Sequence, residues 1–291
     1  MTKRRRLLNM FLFGVALATA AEWIVAPARA ESVAMITDLS GRVSAPGAKT
    51  GITILSEIEA GTQVQLDPGA RLVAIYLRSG DEYTVTGPAT VNFSSAEVLA
   101  VRGATPVKRS NPLAQGGAAI RIKPVGVIQA AMVMRSMRPS ARVRLLNLSG
   151  TYTLDAQPEF RWRELQPGLK YHFEISDDTG RNLHEAQVDT TSYRLPANVQ
   201  LREGVPYTWG VSVRLADGRK YTSAGDFSIA PAAIRARAEA LRPAASAPLS
   251  MRVTYAAWLA QVDLKDEARK YWQAASSERP DDPRLRELAE Q

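Results

Sequence analysis

The chain contains no cysteine, which excludes disulfide staples, thiolate catalysis and sulfur-ligated metal together. It holds only two histidines, His172 and His184. They are too far apart in sequence for the i, i+4 spacing that puts two imidazoles on one helical face. Glycine-rich phosphate loops, dinucleotide fingerprints and nucleophile elbows are missing as well. No metal, no cofactor and no nucleophilic triad are therefore expected. Long apolar runs are scarce: the longest, Leu7 to Ala21, is broken by Asn9 and closed by Glu22, short of the about 20 residues a spanning helix needs. One further lack is local. Between Arg102 and Leu154 there is no Asp or Glu, against nine Lys and Arg.

What is present fits a globular protein of two or three units, with 291 residues, 45% of them hydrophobic. The net charge of +8 falls to +4 once residues 1–30 are set aside, too little and too dispersed to imply nucleic-acid binding. Those first residues, "MTKRRRLLNMFLFGVALATAAEWIVAPARA", have a charged start, an apolar middle and a small-x-small exit at Ala28-Arg29-Ala30. They read as a signal peptide, with an uncleaved membrane anchor as the alternative; "RRRLL" loosely fits a twin-arginine signal. A leader without cysteines behind it implies a periplasmic or cell-surface protein.

Residues 31–108 read as an antiparallel β unit. "RLVAIYL" is β-branched and aromatic, and "EYTVTGPATVNF" alternates, with Tyr83, Val85, Val91 and Phe93 inward. Residues 109–140 read as a basic linker or extension, in which "VIQAAMVMRSM" is ambiguous between strand and helix. Residues 141–230 show the cleanest alternation. Phe160 and Trp162, then Tyr171, Phe173 and Ile175, then Tyr207, Trp209, Val211 and Val213 fall on single faces. A hairpin is expected at Asp217-Gly218. From Pro231 the period changes to 3.6, giving Ala-rich helices over 231–291, with "PDDP" stopping one helix and capping the next. The expected fold is mainly β: two antiparallel β units followed by a small α-helical hairpin.

Three family resemblances attach to these residues. "GRV" (41–43), "LSEIEAGTQV" (55–64) and "GARLVAIYLRSGDEYTVTGPATV" (69–91) resemble the FecR domain, with Gly61-Thr62 where that family has Gly-Asp. "PEFRW", "YHFEI" and "LREGVPYTWGVSV" look like a bacterial fibronectin type III domain. There Leu201, Gly204 and Tyr207 match the tyrosine corner, whose phenol bonds upstream backbone. Residues 250–283 resemble one tetratricopeptide unit, with Val262-Asp263 where a turn glycine is usual. FecR resemblance implies recognition of other envelope proteins or ligands. In the namesake it also implies signalling to a sigma factor, which needs a cytoplasmic domain ahead of the membrane. The stretch before the apolar run is too short to fold one.

The candidate chemistry is thin. Asp81 and Glu82 follow Ser79-Gly80, and adjacent strand residues point to opposite faces, so this pair cannot converge without a bulge. Both are expected as solvated residues at a hairpin tip. A glycan hydrolase using Asp81, Glu82, Asp177 or Asp178 would need two carboxyls facing each other about 5–10 Å apart. Trp162, Tyr207 and Trp209 have the phase of core residues rather than of a sugar platform. His172 is expected on an exposed strand face and His184 in a loop or edge strand. The residues left as candidates for partner binding are Lys108, Arg109, Arg121, Lys123, Trp258 and Trp272. The four cations would attract an anionic cell-wall polymer, lipid headgroups or an acidic partner, unless they form a solvated linker and an edge strand guarded by Arg142 and Arg144. The two tryptophans dock on the sandwich or form a contact surface. The expectation is an exported, non-catalytic binding or scaffold protein engaging an envelope protein or anionic surface. A FecR-type transmembrane regulator is the alternative and a carboxylate hydrolase the more remote one.

Overall fold

In the computed structural model, residues 32–47, 51–111 and 142–290 are described. The expected leader and most of the basic extension, including Arg121, Lys123 and "VIQAAMVMRSM", lie outside the described residues. The N-terminal part holds nine strands: β1 (Ser32–Ser40), β2 (Val43–Ser44), β3 (Glu57–Glu59), β4 (Gln63–Leu66), β5 (Arg71–Tyr76), β6 (Asp81–Thr86), β7 (Ala89–Phe93), β8 (Val98–Gly103) and β9 (Val107–Ser110). They form two antiparallel sheets, ordered β3-β1-β5-β6-β9 and β2-β4-β7-β8. Their shared core takes Ala34, Ile36, Leu72, Ala74, Tyr76 and the four residues expected inward, Tyr83, Val85, Val91 and Phe93. Gly80 turns β5 into β6 at φ +72, a conformation that favours glycine. Because β9 runs to Ser110, Arg109 belongs to a strand and not to a linker.

The apolar run "RLVAIYL" has a specific cause. Leu72, Ala74 and Tyr76 face the second sheet, while Ile75, with Met35 of β1, faces the C-terminal helices. A strand covered on both sides loses its polar alternation. A bulge in β1 between Ile36 and Asp38 then matters. It places Asp38 opposite Val73, on the helix-facing side of β5, instead of inward with Ile36.

The second part holds seven strands: β10 (Thr151–Thr153), β11 (Glu159–Arg161), β12 (Tyr171–Asp177), β13 (Asn182–Val188), β14 (Ser192–Arg194), β15 (Pro206–Arg214) and β16 (Lys220–Ile229). One sheet runs β10-β16-β15-β12-β13, with β10 parallel to β16; β11 and β14 face it as a second, small sheet. The aromatic residues with inward phase meet between the sheets: Phe160 lies 5.0 Å from Phe173 and 5.1 Å from Trp209, ring centre to ring centre. The Arg202 amide donates to the Tyr207 phenol oxygen at 2.7 Å, the tie expected of a tyrosine corner. The β15–β16 hairpin turns at Asp217-Gly218, with Gly218 at φ +84.

The C-terminal part is more than a hairpin. Four helices follow: α1 (Ala232–Leu241), α2 (Leu249–Gln261), α3 (Lys265–Glu278) and α4 (Pro283–Glu290). Tyr255 of α2 donates to the Ala238 carbonyl of α1 at 2.8 Å. Burial pushes its phenol above the usual range. Arg252 and Glu278 join α2 to α3 through two parallel bonds of 2.6 and 2.8 Å. The helical core is shared with the β units, taking in Met35, Ile54 and Ile75, with Tyr152 and Leu154 packed against it. The described residues belong to one compact unit.

A candidate binding groove lined by arginines

The carboxylates that invited a catalytic reading are each held by neighbours. Asp81 bonds the Lys108 ammonium at 2.9 Å. Partial burial pushes its carboxyl up, but Lys108 and the Ser79 hydroxyl outweigh that and leave it below the usual range. Glu82 corrects the expectation of two solvated acids: it is completely buried. Arg109 grips it through Nε at 2.6 Å and again through a second guanidinium nitrogen, and Asn111 approaches the other oxygen at 3.5 Å. The missed signal is the basic pair Lys108-Arg109, whose alternation matches that of Asp81-Glu82 in the neighbouring strand. The register pairs Glu82 with Arg109. Lys108 and Arg109, expected as part of a binding patch, are each paired with a carboxylate while their side chains stay 54% and 47% exposed.

Asp177 is a turn staple. It accepts from the Thr179 hydroxyl at 2.6 Å and from the Arg181 guanidinium at 3.1 Å. These bonds hold its carboxyl below the usual range, the Thr179 hydroxyl most of all, against the upward push of burial. Asp178 beside it is exposed. His184 sits on β13 and bonds the Tyr193 phenol at 2.7 Å. His172 is half-buried on β12, 3.9 Å from Glu174 and 4.0 Å from Glu185. No group of three metal-binding side chains occurs among the described residues. Trp258 and Trp272 are both buried, 5% and 3% exposed, in the helical core. This corrects the contact-surface reading: both belong to a core to which four helices and the N-terminal sheet contribute residues, more than a lone hairpin supplies.

What the structure does bring together is a set of arginines from distant segments. Leu145 bridges Trp162 in antiparallel register. The Arg163 amide donates to the Arg144 carbonyl at 2.8 Å, and the Leu146 amide to the Arg161 carbonyl at 2.9 Å. Since Val143, Phe160 and Trp162 face the core, strand alternation sends Arg144, Leu146, Arg161 and Arg163 outward together. Arg194 of β14 joins them opposite Glu159. This face forms one wall of a groove of about 1030 Å³, whose other wall includes Asp266, Glu267, Arg269 and Lys270 of α3.

Several of these charges are spoken for. Arg269 pairs with Asp266 at 2.9 Å and Lys270 with Glu267 at 2.7 Å. Arg194 lies 3.9 Å from Glu159 and 4.0 Å from Asp155, and Arg161 lies 4.0 Å from Glu159. Asp266 also accepts from the Leu148 amide at 2.7 Å, and Arg269 donates to the Leu146 carbonyl at 3.1 Å, which seats α3 against this segment. Arg144 and Arg163 have no ion-pair partner among the described residues. Only Arg144 of this set belongs to the acid-free stretch; the others come from segments whose proximity no local pattern announces.

No family model matches the chain, and no curated protein matches it. The FecR, fibronectin and tetratricopeptide resemblances therefore rest on their own residues. Among solved structures, the chain is similar to CopC from Methylosinus trichosporium OB3b, at 21% identity over 31% of this chain and 96% of that one, with a TM-score of 0.24. It is also similar to a two-domain fibronectin type III segment of chicken tenascin, at 12% identity over 70% of this chain and 87% of that one, with a TM-score of 0.23. Both likenesses are too distant to carry a function.

Proposed function

We propose that this protein is an exported, non-catalytic scaffold of the bacterial envelope that binds a protein partner, with a FecR-like domain, a fibronectin type III-like sandwich and a helical bracket. One observation carries the reading: the helices engage both β units through buried and directional contacts. On the N-terminal side, Arg279 meets Asp38 at 3.0 Å, and Asp282 accepts from the Ile54 amide at 2.8 Å. On the sandwich side, the Lys265 amide donates to the Thr151 hydroxyl at 3.0 Å and the Tyr152 amide to the Asp263 carbonyl at 2.7 Å. Such ties, with the shared apolar core, hold binding faces in a set geometry. The tyrosine-corner bond supports the fibronectin-like assignment. The leader pattern and the lack of cysteine support export.

Two measurements test this. N-terminal sequencing of the protein recovered from osmotically released periplasm should give a start near Glu31. An intact leader in the membrane fraction would favour the anchored regulator instead. Cross-linking of the tagged full chain in intact cells should capture a reproducible envelope protein. Recovery only from the cytosol would sink the reading.

A further inference from the structure

We infer that the outward face carrying Arg144, Leu146, Arg161 and Arg163 binds an extended acidic peptide segment, with one carboxylate gripped between Arg144 and Arg163. The inference rests on the binding-scaffold reading and names its site. The two arginines are cross-strand neighbours, so their side chains leave the sheet about 5 Å apart. Like charges directly opposite one another destabilise a ladder. An anion between them turns that repulsion into two charge-assisted contacts, for which the planar guanidinium is well shaped.

The surroundings select the kind of anion. Asp155, Glu159, Asp266, Glu267 and Glu290 line the same groove, so a dense polyanion or an anionic membrane would meet repulsion at the rim. A peptide with a few carboxylates and intervening apolar residues would not. Leu146, 41% exposed, is the cross-strand neighbour of Arg161, so that position carries one arginine where the Arg144–Arg163 position carries two. Alternate side chains of an extended chain stand about 6.8 Å apart, the same step that separates Arg161 from Arg163 along their strand. A carboxylate between Arg144 and Arg163 and a second, two residues on, beside Arg161 therefore fit one bound strand, whose intervening side chains turn away from this face.

The test uses the full chain and fluorescence anisotropy with a labelled synthetic peptide alternating Asp and Leu, at low and at physiological salt. R144Q/R163Q should weaken binding about tenfold or more, with thermal stability equal to or above that of the parent because the repulsion is gone. R78Q/R102Q removes the same charge from exposed turn and strand positions elsewhere and should leave affinity within about threefold, the size of a long-range screened effect. The Asn-for-Asp peptide should not bind. Equal losses in both double variants, undiminished binding by R144Q/R163Q, or binding of inorganic polyphosphate in place of the peptide would each overturn the assignment. If the peptide fails to bind while cross-linking in cells still captures a partner, this site is wrong and the scaffold reading survives.

Discussion

Glu82 is completely buried, whereas the Arg109 side chain that grips it remains 47% exposed. The two partners therefore lose unequally when either is removed. Arg109→Ala strands a desolvated carboxylate and is expected to cost about 2–3 kcal/mol. Glu82→Gln leaves a half-solvated guanidinium and a neutral group that still accepts a bond, and is expected to cost about 1 kcal/mol. Urea denaturation of the two variants measures the difference; equal costs would mean that burying the carboxylate does not govern the strength of this pair. The alternation rule correctly separates Asp81 from Glu82, because it depends only on strand geometry. It says nothing about exposure, which depends on β9 lying against β6.

At the scale of elements, Asp282 joins two roles. Its Oδ1 accepts from the Arg284 and Leu285 amides at 2.9 and 3.0 Å, capping α4, while Oδ2 accepts from the Ile54 amide. The cap was legible in "PDDP", since a short acidic residue before Pro is a local signal. The bond to Ile54, across 228 positions, was not. Loss of a cap costs about 1 kcal/mol and an unpaired, part-buried amide about as much again or more. Asp282→Ala is expected to lower unfolding stability by about 2–3 kcal/mol in chemical denaturation; a change no larger than a cap alone would show that the link to Ile54 contributes nothing. The Arg252–Glu278 pair gives a pH signature. The Arg252 guanidinium holds the Glu278 carboxyl below its ordinary 4.5 despite partial burial. Its contribution is therefore complete above the unfolded value and lost as pH falls through the lowered folded one. Glu278→Gln should be less stable than the parent at pH 7 and converge with it in thermal melts as pH falls below the lowered folded value. Curves that stay parallel would contradict that linkage.

Across the whole molecule, the helices complete cores that the β units leave open. Met35, Ile54 and Ile75 lie in the helical cluster, each worth about 1.5–3 kcal/mol when buried. A chain ending at Ala230 is expected to lose its cooperative unfolding transition and to bind a hydrophobic dye strongly. A monomeric, cooperatively folded truncation would show that the β units are self-sufficient. It follows that partner capture is better compared between the parent and surface variants than between the parent and a helix deletion.

The sequence by itself determined the strand and helix classes, the inward aromatic faces of the sandwich, the hairpin at Asp217-Gly218 and the tyrosine corner. All of these follow from local chemistry: side-chain period, turn glycines and a phenol a few residues from its backbone donor. Only the tertiary structure decided that β1 and β5 are covered on both faces, that Trp258 and Trp272 are core, and that Arg144 stands beside Arg163 in a groove. Each of those facts depends on segments far apart in the chain, as with Asp38 and Arg279 at a separation of 241 positions. Local periodicity records which face of an element is apolar; it does not record which distant element comes to cover it.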